Sequence, residues 1–533
     1  MLTRHALGLY NYVVTTAHYT IPAHALPNHL PFEEITWAPK QPTSSLKPLI
    51  FNVLKEALRA HPGLCLTPVA PESKTPSWRR LKQVDLNDVV SFHEPWESED
   101  EVMSQICNTW TPLEVGPGRE GEQKPMWAVS VQLKPARSVG DYDLVVGFYY
   151  HHSLGDGFSG VAVHYGFLES LRRQLRSREW EHGEVDSVMR FEHRELVPSM
   201  EGAMPTPITV WGVLKKLWSM LFPEKGIWSG PPITIPPGGA VTNMRSIAIP
   251  AEDVSKIVAL CKKHRTTVTA YLAALVGSVI SAEHPEAQKL SGGIAVTLRP
   301  FAEPSVTKRD MAAYTSSCTV TLRRSSGDLS FFSSPKSDAE GGEDADDERW
   351  DVVRRVKEEI HTEAQKRKDR LAFQVKLVGD VKGYFMKKVG KDRGEAFEIS
   401  NLGVMDFDNL PTPSTYSTVP PQNDDQNPAE SATSKDDAGP SSPPDSGDEH
   451  LAHLTGLIFT QSANATSSLY DFSVATIKKG PMCISLSWEA GAVEEHRAVR
   501  ILWRLQGLLR GGLPNYGEPI RLQRGGVREV SCF

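Results

Sequence analysis

Residues 143–175 read DLVVGFYYHHSLGDGFSGVAVHYGFLESLRRQL. The first part is an unbroken apolar run rich in valine and aromatics, the pattern of a buried strand. The last part places Val161, Val163, Tyr165, Leu168 and Leu171 on one side of a helix. Arg172, Arg173 and Arg176 favour a helix C-terminus there, because cations complement the carbonyl end of the dipole. Between strand and helix stands HHSLGDG. A strand that turns through glycines straight into a helix commits this part of the chain to a mixed α/β fold. It also puts His151, His152 and Asp156 at the turn, where chemistry is usually carried.

Four readings of that turn compete. A metal site needs several ligands on one ion, but adjacent residues at a strand end point to opposite faces. No second His/Cys cluster completes a shell. A dinucleotide cradle matches Gly155-x-Gly157-x-x-Gly160 after a strand and before a helix. Against it, no apolar strand with a terminal acid follows, and Asp156 would set a negative charge beside a pyrophosphate. A glycine turn around a buried histidine is the structural alternative. The chemical reading is a general base: an imidazole titrates near neutrality, at about 6.5. An aspartate four residues on can fold back and fix the loop by an ion pair. Such a base takes a proton from a hydroxyl or amine that attacks an activated acyl group. A thioester needs no covalent enzyme intermediate, no cysteine lies nearby, and Ser159 is not in a GxSxG elbow.

The chain has 533 residues, more than one ordinary core supports. We expect an N-terminal lobe over 1–180, a connection over 181–240 and a C-terminal lobe over 241–533. Helical spacing marks SSLKPLIFNVLKEALRAHP, EDEVMSQICNTW, AEDVSKIVALCKKH, TTVTAYLAALVGSVISAEH, RWDVVRRVKEEIHTEAQKR and HRAVRILWRLQGLLRGG. Strands are expected at LCLTPV, MWAVSVQL, TNMRSIAIP, GGIAVTLRPF, FEISNLGVMDF, HLTGLIFTQSA, SSLYDFSVATIKKG and PMCISLSWEAG. Two polar stretches, about 325–348 and 410–450, cannot bury enough surface to offset their ordering entropy and are expected to be disordered. In the connection, ITVWGVLKKLWSMLF is short and strongly apolar. It reads as a helix packed on the body or, alternatively, one lying on a membrane surface; the few lysines on its polar face favour packing.

The net charge of −7 comes without a basic stripe, which speaks against nucleic acid. The six cysteines are scattered without ligand spacing, as in a reducing compartment. No run of 18 apolar residues is present. The cysteine pattern leads us to expect a cytoplasmic protein; we further expect a monomer, with peripheral contact to endoplasmic reticulum or lipid droplets as the membrane option.

HHSLGDG resembles the HHxxxDG signature of the chloramphenicol-acetyltransferase-like acyltransferases. HALGLYNYVVTTAHY, VTLRPF, TTVTAYLAAL and EISNLGVMD resemble the fungal alcohol acetyltransferase family within it. The likeness spans nearly the whole chain apart from the polar inserts. The DFGWG motif of the plant-type branch is absent, and LYDFSV offers only a DF. The resemblance implies an α/β (α+β) fold of two lobes, each a mixed, mostly antiparallel sheet with helices, and an active-site tunnel between them. It implies an acyl-CoA donor, acetyl-CoA in this family, and an alcohol acceptor. An amine acceptor, such as a sphingoid base or a toxin, and a silent scaffold are the alternatives. His152 is then the base, Asp156 a structural residue and Arg299 its partner. Gly157, Ser400 and Asn401 are assigned to the substrate tunnel or the oxyanion, against the simpler reading of the last two as a polar-capped strand-end turn.

Overall fold

The computed structural model describes the chain except for residues 11, 27–45, 72, 74–75, 96, 110–123, 137–139, 182–185, 223, 237–238, 304, 331–349, 411–450 and 512–533. Its strands are β1 (Tyr12–Ile21), β2 (Leu66–Val69), β3 (Ser77–Arg80), β4 (Gln83–Asp85), β5 (Val90–His93), β6 (Trp127–Pro135), β7 (Tyr142–His151) and β8 (Val188–Arg190). The second half adds β9 (Thr242–Ile249), β10 (Lys289–Thr297), β11 (Thr315–Arg323), β12 (Phe397–Met405), β13 (His453–Gln461), β14 (Tyr470–Ile477) and β15 (Met482–Glu489). One sheet has the order β13-β1-β7-β6-β5 and the other β11-β10-β12-β14-β15-β9. The pairs β2-β3 and β4-β8 form small ribbons. Pairing is antiparallel except for β5-β6, β10-β12 and β12-β14.

Each sheet buries one apolar layer under helices. Helices Lys47–Arg59 and Gly157–Ser177 pack on each other beside the first sheet. Helices Val268–Glu283, Asp351–Gln365 and Glu495–Leu509 cover the second. The two resulting cores are distinct and separately contiguous, which is the two-lobed α/β architecture expected.

Three expectations change. Residues 453–461, expected in the second lobe, form β13 of the first sheet, with Val13 opposite Gln461. The edge of β1 would otherwise present a row of unpaired backbone groups. Ser485 of β15 donates its hydroxyl to the Phe459 carbonyl at 2.6 Å, so β13 also braces the two sheets against each other. Second, the stretch expected to be disordered from about 325 begins with folded residues: Leu329 is buried in the second core and Asp328 accepts from Arg323 and Arg355. The remainder, 331–348 and 411–450, lies outside the described residues. Third, the segment 208–222 forms the helix Val210–Leu221, but its apolar side faces solvent.

Candidate active site

Strand β7 ends at His151, and the next helix starts at Gly157. Asp156 occupies the N-cap position, where an aspartate ordinarily accepts from the first-turn N–H groups. Here it makes no such cap. Its carboxylate is instead gripped by Arg299, with Nη2 donating to Oδ1 at 2.7 Å and Nε to Oδ2 at 3.3 Å. The backbone N–H of Tyr314 donates to Oδ2 at 3.1 Å and the Ser159 hydroxyl to Oδ1 at 3.4 Å. The remaining guanidinium donors go to the carbonyls of Thr307, Asp310 and Ala312. Both ions are almost fully buried. A buried pair is tolerable only when its lone pairs and protons are satisfied like this. Arg299 stands just beyond the end of β10, in the short turn Arg299–Phe301, and not within the strand as the sequence suggested. The pair therefore bolts the first lobe's turn to the second lobe.

That bolt leaves neither histidine hydrogen-bonded to the aspartate. His151 is buried and folds back on the turn: the Ser153 N–H donates to its Nδ1 at 3.0 Å, and the Ser153 hydroxyl lies 2.6 Å from the same atom. His152 is half-buried. Its Nδ1 is buried. Burial pushes the His152 pKa down to about 4, while its own carbonyl and Asp156 only partly hold it up. The ring is neutral at physiological pH, as a general base must be.

The turn's glycines are required by space and not by backbone conformation, since neither Gly155 nor Gly157 has a positive φ. A Cβ on Gly157 would lie 2.7 Å from Leu402 and 2.8 Å from Phe459. One on Gly155 would strike the side chain of Ser159. The closeness of Gly157 to β12 and β13 sets the distance between the lobes at this point.

Strand β12 sorts the other expected residues by its period of two. Phe397 and Ile399 face the second core, whereas Leu402 joins the first. Glu398 and Ser400 share the side opposite to Phe397 and Ile399. Ser400 lies opposite Ser473 in the ladder. Asn401 faces the other way: its amide donates to the Thr269 hydroxyl at 3.1 Å and accepts the Gly403 N–H at 2.8 Å. That supports a bulge between Asn401 and Val404, and Asn401 is not brought to His152.

Several polar residues of the site were not foreseen. The Tyr10 ring stands 5.6 Å from that of His152, and the Arg4 guanidinium lies over the Tyr10 ring, 4.6 Å from its centre. The Tyr10 hydroxyl donates to Gln461 at 3.1 Å, and Arg4 donates to Asn464. Gln461 reaches Glu398, and the Asn464 N–H donates to Asp471 at 2.9 Å. Burial raises the pKa of both Glu398 and Asp471; the charge of Glu398 raises Asp471 further, and Arg4 pulls Glu398 back. These groups come from chain positions more than 400 residues apart, so no local spacing marks them. Their one trace in the sequence is an acid or amide inside an apolar strand, as in FEIS, YDFS and FTQS. Among the described residues, no group of three His, Cys, Asp or Glu is placed to hold a metal ion.

A two-lobed α/β body with HHxxxDG at the lobe junction, and its aspartate locked to an arginine of the other lobe, defines a chloramphenicol-acetyltransferase-like acyltransferase. The alcohol acetyltransferase family profile matches residues 68–418, which include the whole motif and Arg299. The chain belongs to the alcohol acetyltransferase family. It is 23% identical over 94% of its length to a probable alcohol acetyltransferase, crmB, of Aspergillus fumigatus, covering 96% of that protein. It is 22% identical over 92% of its length to another, FCK4, of Fusarium pseudograminearum, covering 89% of it. In fold it is similar to the TRI3 trichothecene 15-O-acetyltransferase of Fusarium sporotrichioides, with a TM-score of 0.62 and 10% identity over 95% of this chain and 92% of the other.

Proposed function

We propose that this acyltransferase moves an acetyl group from acetyl-CoA to the hydroxyl of an alcohol, with His152 as general base. The observation that carries the reading is a half-buried, neutral imidazole at the lobe junction whose neighbouring aspartate is fully engaged elsewhere. In this reaction the imidazole takes the hydroxyl proton as the alcohol oxygen bonds to the thioester carbonyl carbon. The C–S bond then breaks, and the imidazolium returns the proton to the departing thiolate. Ester and free thiol result, and the enzyme ends unchanged. Asp156 and Arg299 hold the turn that carries the base and do no proton transfer. Ser400 is the side chain we assign to the oxyanion, on the strand face it shares with Glu398; Asn401 is committed to the bulge. The family supports an acyl-CoA donor, and the names of the relatives support alcohol acceptors.

The test is thiol release from acetyl-CoA by purified protein with a panel of alcohols, wild type beside His152→Ala. Alcohol-dependent release that yields an ester and vanishes in the variant supports the reading. A folded His152→Ala protein with undiminished activity would sink the mechanism. Amide products from amine acceptors alone would move the acceptor class.

A further inference from the structure

The helix Val210–Leu221 is mounted with its apolar side outward. At 3.6 residues per turn, Val210, Trp211, Leu214, Leu217, Trp218 and Leu221 fall within an arc of about 120°. All six are exposed, Trp211 by 76% and Trp218 by 65%. The opposite side is what the body holds. Gly212 is buried where a Cβ would strike the Asp369 carboxylate. That carboxylate accepts from the Thr209 N–H at 2.6 Å and the Thr209 hydroxyl at 2.7 Å, fixing the helix start. A soluble body ordinarily turns such a stripe inward; exposed apolar surface on this scale marks an interaction site.

The neighbouring segment indicates what it meets. Lys376 bonds Thr206, so residues 366–391 are tied to the helix through two contacts, this one and that of Asp369. This segment holds nine lysines and arginines against two aspartates, in a chain whose net charge is −7. Arg367, Lys368, Lys376, Lys382, Lys387 and Lys391 are exposed. Exposed Leu371, Leu377, Tyr384 and Met386 are interleaved with them. Tryptophan-bearing apolar surface with a cationic segment next to it matches an anionic bilayer interface, where indole sits at headgroup depth and lysines meet the negative surface potential. Part of this segment, Val381–Met386, packs against the helix Leu2–Ala6. That helix carries Arg4 and His5, and the His5 ring lies 4.7 Å from that of His151.

We infer that the helix Val210–Leu221 and the basic segment 366–391 form one docking face for the surface of an anionic lipid membrane, bordering the HHxxxDG site. No single helix among the described residues is long and apolar enough to cross a bilayer, so the association is peripheral.

Flotation of the full-length protein with phosphatidylcholine vesicles, and with vesicles that also contain phosphatidylserine, tests this. The wild type is expected to float with the anionic vesicles, to be released by salt and to show a blue shift of tryptophan fluorescence. Trp211→Ser with Trp218→Ser should lower partitioning by about tenfold. Lys376→Glu with Lys382→Glu should lower it mainly at low salt. Acyl transfer to a water-soluble alcohol serves as the folding control for both variants and should be unchanged. Wild type that fails to float with anionic vesicles overturns the inference, as does flotation that the tryptophan variant leaves intact. A vesicle-independent dimer that the same tryptophan variant dissolves would assign the face to a second copy of the chain and also overturn it.

Discussion

His18 is fully buried and His152 half-buried in the first lobe, and their titration is driven in opposite directions. His18 lies between Glu99, 2.9 Å from Nε2, and Asp143, 3.1 Å from Nδ1. Burial opposes its charge, but the two carboxylates outweigh burial and raise the pKa to about 9. His152 has an aspartate four residues away in sequence, yet burial wins and the pKa falls to about 4. The difference is the destination of the carboxylate. Asp143 and Glu99 spend their charge on the imidazole, whereas Asp156 spends its charge on Arg299. One histidine is thereby a cation at neutral pH that links β1 to β7 and to the helix bearing Glu99. The other stays a free base.

The largest break of this contrast is the loss of the proposed base itself. His152→Ala should lower kcat/KM by roughly 10²- to 10⁴-fold with thermal unfolding nearly unchanged, read by thiol release and calorimetry. Arg299→Ala comes next. It leaves a buried carboxylate unpaired, which costs about 3–5 kcal/mol of stability. It also releases Asp156 toward the turn, so denaturant unfolding should show the loss and activity should fall with it. Arg299→Lys should recover only part of both, because an ammonium cannot reproduce the two-pronged grip.

The third prediction concerns His18, whose folded pKa is raised. Its contribution is fully present below the unfolded value near 6.5 and is lost as pH rises through about 9. Burial works against the charge of Glu99, but His18 and Lys134 bring its pKa down to about 2. Its contribution is therefore full above about 4.5 and is lost as pH falls through about 2. The cluster should stabilise most between these limits, at mildly acidic pH, by on the order of 3 kcal/mol. His18→Gln should remove that term and flatten stability between pH 6.5 and 9. An unchanged slope in urea melts across that range would separate His18 from the effect.

The catalytic limb should run the other way. The His152 base form is lost only as pH falls through about 4, so kcat/KM should stay level down to mildly acidic pH. A limb near 6.5 would mean that burial does not control this ring. The smallest effect is expected from Gly157→Ala, where a methyl would press on Leu402 and Phe459. It should cost about 1–3 kcal/mol by overpacking and change activity through the spacing of the lobes.

Much of this was legible in the chain. HHSLGDG marked the turn, and the periodicities of 143–175, 251–283 and 495–509 gave strands and helices close to those observed. Arg299 was reached through the family resemblance, and the structure puts it on Asp156. The resemblance pairs Asn401 with Ser400, but a strand turns neighbours to opposite faces, and the amide of Asn401 supports the bulge. The helix Val210–Leu221 has the composition of a packed helix, and nothing in its own residues says which side the body will hold.

Local sequence determined the elements and the motif, because strand, turn and helix preferences act over a few residues and a period of 2 or 3.6 can be read along the chain. It also determined that His152 and Asp156 would share one turn. Only the tertiary structure decided that Asp156 would face an arginine 143 residues away, that β13 would cross back to the first sheet, and that Arg4, Tyr10, Glu398 and Asp471 would join one polar network whose Tyr10 stands beside His152. A pKa depends on burial and on charges within a few ångströms. Those neighbours are brought together by packing between distant segments, and so the titration of each histidine was set by the fold.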